Sequence, residues 1–190
     1  MEQEYHPFPN QGHRNFLQRI VEVPLFVRAL GLPTGGRVLE VGCGRGVALP
    51  TFDSLLRPSL LVGVDIDATF LAEAARTVPR LSRIRLAQAD LRQLPFPSGA
   101  FDVVIDFGTC YHVDAGQKAL GEIARVLAPG GIFATESKLA QLVAHPVRTR
   151  GRRLHVPQGS VLELHQHAGL WLSFRRSGSR GPELASYHRH

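Results

Sequence analysis

The stretch "RVLEVGCGRG", Arg37 to Gly46, constrains this chain more than any other. A short apolar run ends in three glycines, Gly42, Gly44 and Gly46, each one residue from the next. A buried strand that stops in a turn so poor in Cβ atoms lets backbone N–H groups approach a ligand closely. The start of a following helix then favours a carboxylate or a phosphate. A dinucleotide fingerprint reads G-x-G-x-x-G, and its third glycine would fall on Val47. The pattern here is E-x-G-x-G-x-G, counted from Glu40. By itself the turn leaves open NAD, FAD, nucleoside phosphates, S-adenosylmethionine and plain strand–helix packing.

The remaining pattern places that turn in a sheet. "RVLEV" predicts a first strand, "LLVGVD" a second, "RIRLAQAD" a third, "FDVVIDF" a fourth and "IFATES" a fifth. Amphipathic stretches lie between them: "VALPTFDSLL", "DATFLAEAARTV" with Asp67 as N-cap, and "DAGQKALGEIARVLAPGG" with Asp114 as a possible cap. Alternation of this kind calls for a parallel, doubly wound sheet with helices on both faces. Ahead of the sheet, "HRNFLQRIVEVPLFVRALGL" predicts one or two helices broken at Pro24. Beyond Glu136 a basic, proline-interrupted crossing leads to "SVLELHQHAG", read as a short helix. "LWLSFRR" and "ELASYHR" follow as two closing strands, expected to be antiparallel. A single domain is expected, divided into a helical cap over 1–34, a ligand-binding core over 35–136, a basic lid or crossing over 137–157, and a closing helix and strand pair over 158–190.

Two acids join the glycines at successive strand ends. Asp65 ends the second strand, where an acidic side chain accepts from both ribose hydroxyls. Asp90 ends the third, before a loop with Leu91, Leu94 and Phe96, and a carboxylate beside apolar side chains suits an adenine.

With these landmarks the sequence resembles the class I S-adenosylmethionine-dependent methyltransferases, in particular the small-molecule group with ubiquinone and menaquinone relatives. "VLEVGCGRG", "GVDID", "QADLRQLPFPSGAFDVV" and "ALGEIARVLAPGGIFATES" carry the resemblance, in the family's order, over about half of the chain. The resemblance implies a Rossmann-like, mostly parallel seven-stranded sheet with an antiparallel C-terminal strand. It implies that the turn of Gly42, Cys43, Gly44 and Gly46 passes under the methionine part of the cofactor, with Glu40 supporting the loop. Asp65 would hold the ribose, Ile66 would cover the adenine, and Asp90 with Leu91 would read its edge. Asp106 and Phe107 would lie beside the methionine and the reacting methyl. The implied product is S-adenosylhomocysteine.

Methyl transfer from a sulfonium needs alignment and exclusion of water, and a base only where the acceptor must lose a proton. His112 is the candidate base, and Tyr111 a candidate contact to the acceptor; the alternative is that both line the pocket or cap the next helix. His13, Arg14 and Phe16, with Arg148 and Arg152 of the basic crossing, are the candidate acceptor pocket. Their mix suits a lipophilic or anionic small molecule such as a quinone, a lipid or a phenol. No metal site is expected, because the histidines lack ligand spacing with a carboxylate.

Composition narrows the classes. With 44% hydrophobic residues and two cysteines, the chain has neither a disulfide scaffold nor a zinc cluster, and a reducing cytoplasm is expected. The opening reads as no signal peptide, and no window reaches the roughly 20 apolar residues of a membrane span. The formal charge of +6 and the pI near 10.1 keep an RNA or protein methyltransferase open as an alternative. "DFGT" stands where many DNA amino-methylases carry an N-P-P-Y-like element, which argues against DNA. A second alternative is a partner protein that binds the cofactor without turnover. The oligomeric state and the acceptor are not readable.

Overall fold

A computed structural model describes residues 11–78, 83–137 and 160–178. Seven strands form one sheet: β1 (Arg37–Val41), β2 (Leu60–Asp65), β3 (Ile84–Gln88), β4 (Phe101–Asp106), β5 (Leu127–Glu136), β6 (Leu162–Ala168) and β7 (Trp171–Arg176). Their order is β3-β2-β1-β4-β5-β7-β6. The first five run parallel, and β7 pairs antiparallel with both β5 and β6. The expected sheet and its reversed strand are present.

Strands buried on both faces need apolar side chains in alternation toward each. In β4, Val103 and Ile105 face one cluster, with Phe26, Phe52 and Leu49, while Phe101 and Val104 face the other, with Ile123, Leu120 and Phe133. The first face is covered by α2 (Val23–Ala29) and α3 (Leu49–Leu56), with α4 (Ala68–Thr77) at its side through Leu71. The second is covered by α5 (Gly116–Val126), whose Ala119, Leu120, Ile123 and Val126 are buried.

The helix starts follow local chemistry in part. Asp67 caps α4 as expected, accepting from the Thr69 N–H at 2.7 Å. Asp114 does not cap α5: the N-cap is Ala115, left-handed at φ 60°, with no side-chain bond. Asp114 lies one residue too early and acts instead on the Arg92 charge.

The N-terminal segment is one continuous rod, without the break expected at Pro24. Helix α1 (Gln11–Leu17) runs through a π turn (Gln18–Glu22) into α2, and the junction residues Leu17, Glu22 and Val23 keep helical angles. Pro24 sits in the first turn of α2, where its missing N–H matters least, and the wider turn before it makes room for its ring.

The larger correction lies at the C-terminal side. "LELHQHA", read as a helix, is the edge strand β6. Ala168 pairs with Trp171, so Gly169 and Leu170 form a two-residue hairpin turn, with Gly169 at φ +61°. Glycine in the first turn position suits a hairpin of this length. The closing pair is therefore β6 with β7. The "ELASYHR" strand, the basic crossing beyond Ser137, and residues 1–10 lie outside the described residues.

Candidate active site

The order β2-β1-β4 places the topological switch of the sheet between β1 and β4, where open α/β sheets bind ligands at the strands' carboxyl ends. The glycine turn leaves β1 there, and the loop after β4 meets it. Thr109 Oγ1 donates to the Gly42 carbonyl at 3.2 Å.

The three glycines have three different reasons. A Cβ on Gly42 would collide with the Thr109 side chain, at 2.1–2.4 Å. A Cβ on Gly46 would lie 2.9 Å from the Ala74 Cβ, so this position sets the approach of α4. Gly44, at φ +51°, has nothing within 4 Å of that position and faces open space. Packing thus accounts for two of them, and Gly44 is held by its left-handed backbone alone.

Asp65 holds the turn. Its Oδ2 accepts from the Gly44 N–H at 2.8 Å and its Oδ1 from the Asp67 N–H at 3.0 Å. Beside it Glu40 is buried one residue before the end of β1, and its Oε2 has no hydrogen-bond partner among the described residues. Burial, together with the neighbouring Asp65 and Asp106 charges, pushes the Glu40 carboxyl up to about 8. An orphaned carboxylate oxygen next to an uncovered glycine turn is the environment a cationic group completes. These residues fit a cofactor that carries an amino group and a sulfonium.

Other predicted residues fall in different surroundings. Ile66 is 60% exposed, an apolar side chain left at the rim. Cys43 is buried, and burial raises its thiol far above the usual range, with Glu40 and Asp65 adding to it. Leu91 sends its side chain into the core, so any contact to a ligand there uses its main chain. Asp90 is clasped by Arg92, whose Nη2 lies 2.6 Å from Oδ2 and whose Nε lies 3.0 Å from both oxygens. That pairing, with the Arg92 main-chain N–H, holds the carboxyl down at about 2.

Asp106 is fully buried. It accepts from the N–H groups of Thr109 and Cys110 at 2.8 and 3.0 Å and from the Thr135 hydroxyl at 2.9 Å. Its side chain shapes the turn after β4, which meets the glycine turn through Thr109. Phe107 packs inward, edge-on to Phe26 at 5.2 Å.

Past that turn, Tyr111 is buried and its hydroxyl bonds the Glu136 carboxylate at the end of β5. Burial, with Asp106 and Glu22 adding, raises Glu136 to about 7, against the lowering pull of Arg14 and Tyr111. A Cβ on Gly108 would lie 3.3 Å from Glu136 Oε2 and 3.4 Å from the Tyr111 hydroxyl. His112 is exposed, its ring 4.3 Å from that of Tyr111.

The expected acceptor pocket divides. Arg14 acts on Glu136, Tyr111 and Glu22. Phe16 lines a cavity of about 320 Å³ with Ile20, Arg45, Gly46, Val47 and Pro50, against the end of the glycine turn. His13 is exposed, and Arg148 and Arg152 lie outside the described residues. Sequence reasoning missed Thr109, Arg92, Thr135 and Glu136. Only Glu136, an acid ending a strand as Asp65 does, carried a signal that would have found it. No group of metal-ligating side chains occurs among the described residues.

Comparison with known proteins agrees with this geometry. The sequence family described as a methyltransferase domain matches residues 39–135. The chain is 34% identical over 99 residues to a fatty-acid O-methyltransferase of Mycolicibacterium smegmatis, covering 52% of this chain and 36% of that protein. It is 30% identical over 126 residues to a phthiotriol/phenolphthiotriol dimycocerosates methyltransferase of Mycobacterium tuberculosis, covering 66% and 43%. A crystal structure of an S-adenosylmethionine-dependent methyltransferase from Mesorhizobium loti superposes with a TM-score of 0.53 at 25% identity, covering 60% of this chain and 51% of that one. The chain spans less than half the length of the two curated relatives.

Proposed function

This chain belongs to the class I S-adenosylmethionine-dependent methyltransferases, and from that premise we propose that it transfers a methyl group to an oxygen, carbon or nitrogen of a small, lipid-like acceptor. The observation that carries the reading is the pairing of Asp65 with the Gly44 N–H beside the open side of Gly44 and the orphaned oxygen of Glu40. The lipid-like acceptor is supported by the names of the relatives, a fatty-acid O-methyltransferase and a phthiotriol/phenolphthiotriol dimycocerosates methyltransferase. The ubiquinone-like subgroup has no such support.

In this reading Gly44 and Glu40 hold the amino-acid end of the cofactor. Asp65 serves the ribose with the lone pairs its two main-chain bonds leave over, and Ile66 covers the base. Asp90, oriented by Arg92, and the main chain of Leu91 meet the edge of the base. When bound, S-adenosylmethionine supplies an electrophilic methyl and its own leaving group. The protein's part is alignment and exclusion of water. Where the acceptor must lose a proton, His112 at the exposed end of the turn and Glu136 behind Tyr111 are two groups among the described residues that can take it.

The test is thermal stability of the purified chain with S-adenosylhomocysteine, and with NAD in parallel. Ligand at about 100 times its dissociation constant adds roughly 2.7 kcal/mol to the folded state. For a chain of this size that is a rise of about 5–10 °C. The reading requires a shift with S-adenosylhomocysteine, none with NAD, and its loss in Asp65→Ala. A shift with NAD alone would overturn it.

A further inference from the structure

The N-terminal rod has a face that the methyl-transfer reading does not use. Val23 and Phe26 are fully buried against the sheet, while Phe16, Leu17, Ile20, Val21 and Leu25 are between 42% and 60% exposed. Five of the ten large apolar side chains exposed among the described residues therefore lie in ten consecutive positions. Phe16 and Ile20 are one α-helical step apart, as are Leu17 and Val21. The five-residue step from Ile20 to Leu25 crosses the π turn, whose repeat is one residue longer. Phe16 and Ile20 border the cavity with Val47 and Pro50 at one edge of the stripe, and Leu17, Val21 and Leu25 do not line that cavity.

Cations edge the same stripe. Arg28 lies three residues after Leu25 on the same side and is exposed, and Arg19, also exposed, lies at the inner edge of the stripe beside the cavity. The only acid between Gln11 and Ala29 is Glu22, and it is spent inward, acting on Glu136 and meeting the Arg14 charge. The outward face is thus apolar and cationic, with no carboxylate.

The geometry points to a docking face for an anionic lipid bilayer. An amphipathic helix with cations at its margin lies in the interface plane, its apolar side chains in the acyl boundary and its cations at the lipid phosphates. No helix among the described residues is long and apolar enough to span a membrane, so the rod lies on the surface. A second copy of the chain is the poorer occupant. A two-fold pairing through this stripe sets one acid-free face against another, with no carboxylate to meet Arg28, in a chain of formal charge +6.

The experiment is flotation of the full chain with vesicles of equal parts phosphatidylglycerol and phosphatidylcholine, and with vesicles of phosphatidylcholine alone. Binding is expected to the first and not to the second, and to fall as salt rises. Arg28→Glu reverses one charge at the surface and weakens binding by about tenfold or more. Leu17→Ser with Leu25→Ser abolishes it with little change in Tm, since both side chains are exposed and neither lines the cavity. Equal binding to both vesicles, binding that survives the double substitution, or no binding at all overturns the proposal. A dimer that the double substitution dissociates assigns the stripe to a second copy and overturns it as well. The thermal shift with S-adenosylhomocysteine is read without vesicles, so the two readings fail separately.

Discussion

The main-chain N–H of Gly44 donates to Asp65 Oδ2 at 2.8 Å, tying the turn after β1 to the end of β2 across 21 residues of sequence. This bond does two jobs at once. It fixes the turn that a cofactor would lie on, and it orients the carboxylate that would meet the ribose.

Asp65→Ala is expected to remove both. Hydrogen bonds to a charged acceptor are worth about 1.5–3 kcal/mol each, and part of that is regained when water reaches the freed N–H groups. A loss of about 2 kcal/mol in chemical denaturation is expected, together with loss of the S-adenosylhomocysteine shift. Asp65→Asn retains the acceptor oxygen toward one N–H and should lose less stability than binding.

Gly42→Ala and Gly44→Ala separate packing from ligand space. Both positions have positive φ, which costs a residue with a Cβ about 1 kcal/mol. Gly42→Ala also drives a methyl into Thr109, so its loss of stability should clearly exceed that of Gly44→Ala. Gly44→Ala is expected to fold with only the backbone cost yet to bind S-adenosylhomocysteine weakly, as calorimetric titration would read. Unchanged binding would remove Gly44 from the site.

Asp106 supports the turn after β4 from inside. Asp106→Ala leaves two buried N–H groups and the Thr135 hydroxyl without their acceptor, at about 1–3 kcal/mol for each unsatisfied group. Asp106→Asn should be much milder, because its remaining oxygen can still accept from Thr109 and Cys110. Urea melts of the two variants compare them directly.

The raised carboxyls make stability depend on pH. Glu40 rises from 4.5 to about 8 and Glu136 from 4.5 to about 7, both mainly through burial. A raised folded-state value means that folding favours the neutral form. The contribution is whole below about 4.5 and is lost as pH rises through about 7 and about 8. The free chain should therefore weaken between those limits by up to about 1.4 kcal/mol per pH unit for each group. Glu40→Gln should flatten the upper part of that slope. A chain that gains stability from pH 6 to 8 would contradict it.

Much of the fold is legible because its strands are short apolar runs ended by glycine or aspartate, as in "RVLEVG" and "LLVGVD". Burial on both faces forces that composition. The edge strand β6 lacks it. Its side chains from Glu163 to His167 are exposed, so "LELHQHA" has no burial period to read, and only its pairing with β7 makes it a strand. Pro24 misled for a related reason: proline announces a break, but whether the rod breaks or widens depends on Val23 and Phe26 being held in the core.

The sequence alone determined the sheet class, the family, and the acids at the strand ends, since these are local signals of strand, turn and residue type at fixed spacing. Tertiary structure decided what each acid does. Asp65 points at the Gly44 N–H, Asp106 is consumed by Thr109, Cys110 and Thr135, and Glu40 is left with an orphaned oxygen. Asp65 and Asp106 end their strands and Glu40 stands one residue before the end of its own, so the three look alike along the chain. What separates them is which hydrogen-bond donors the neighbouring strands and loops bring within reach, and that depends on strand order and register, which no short stretch of sequence contains.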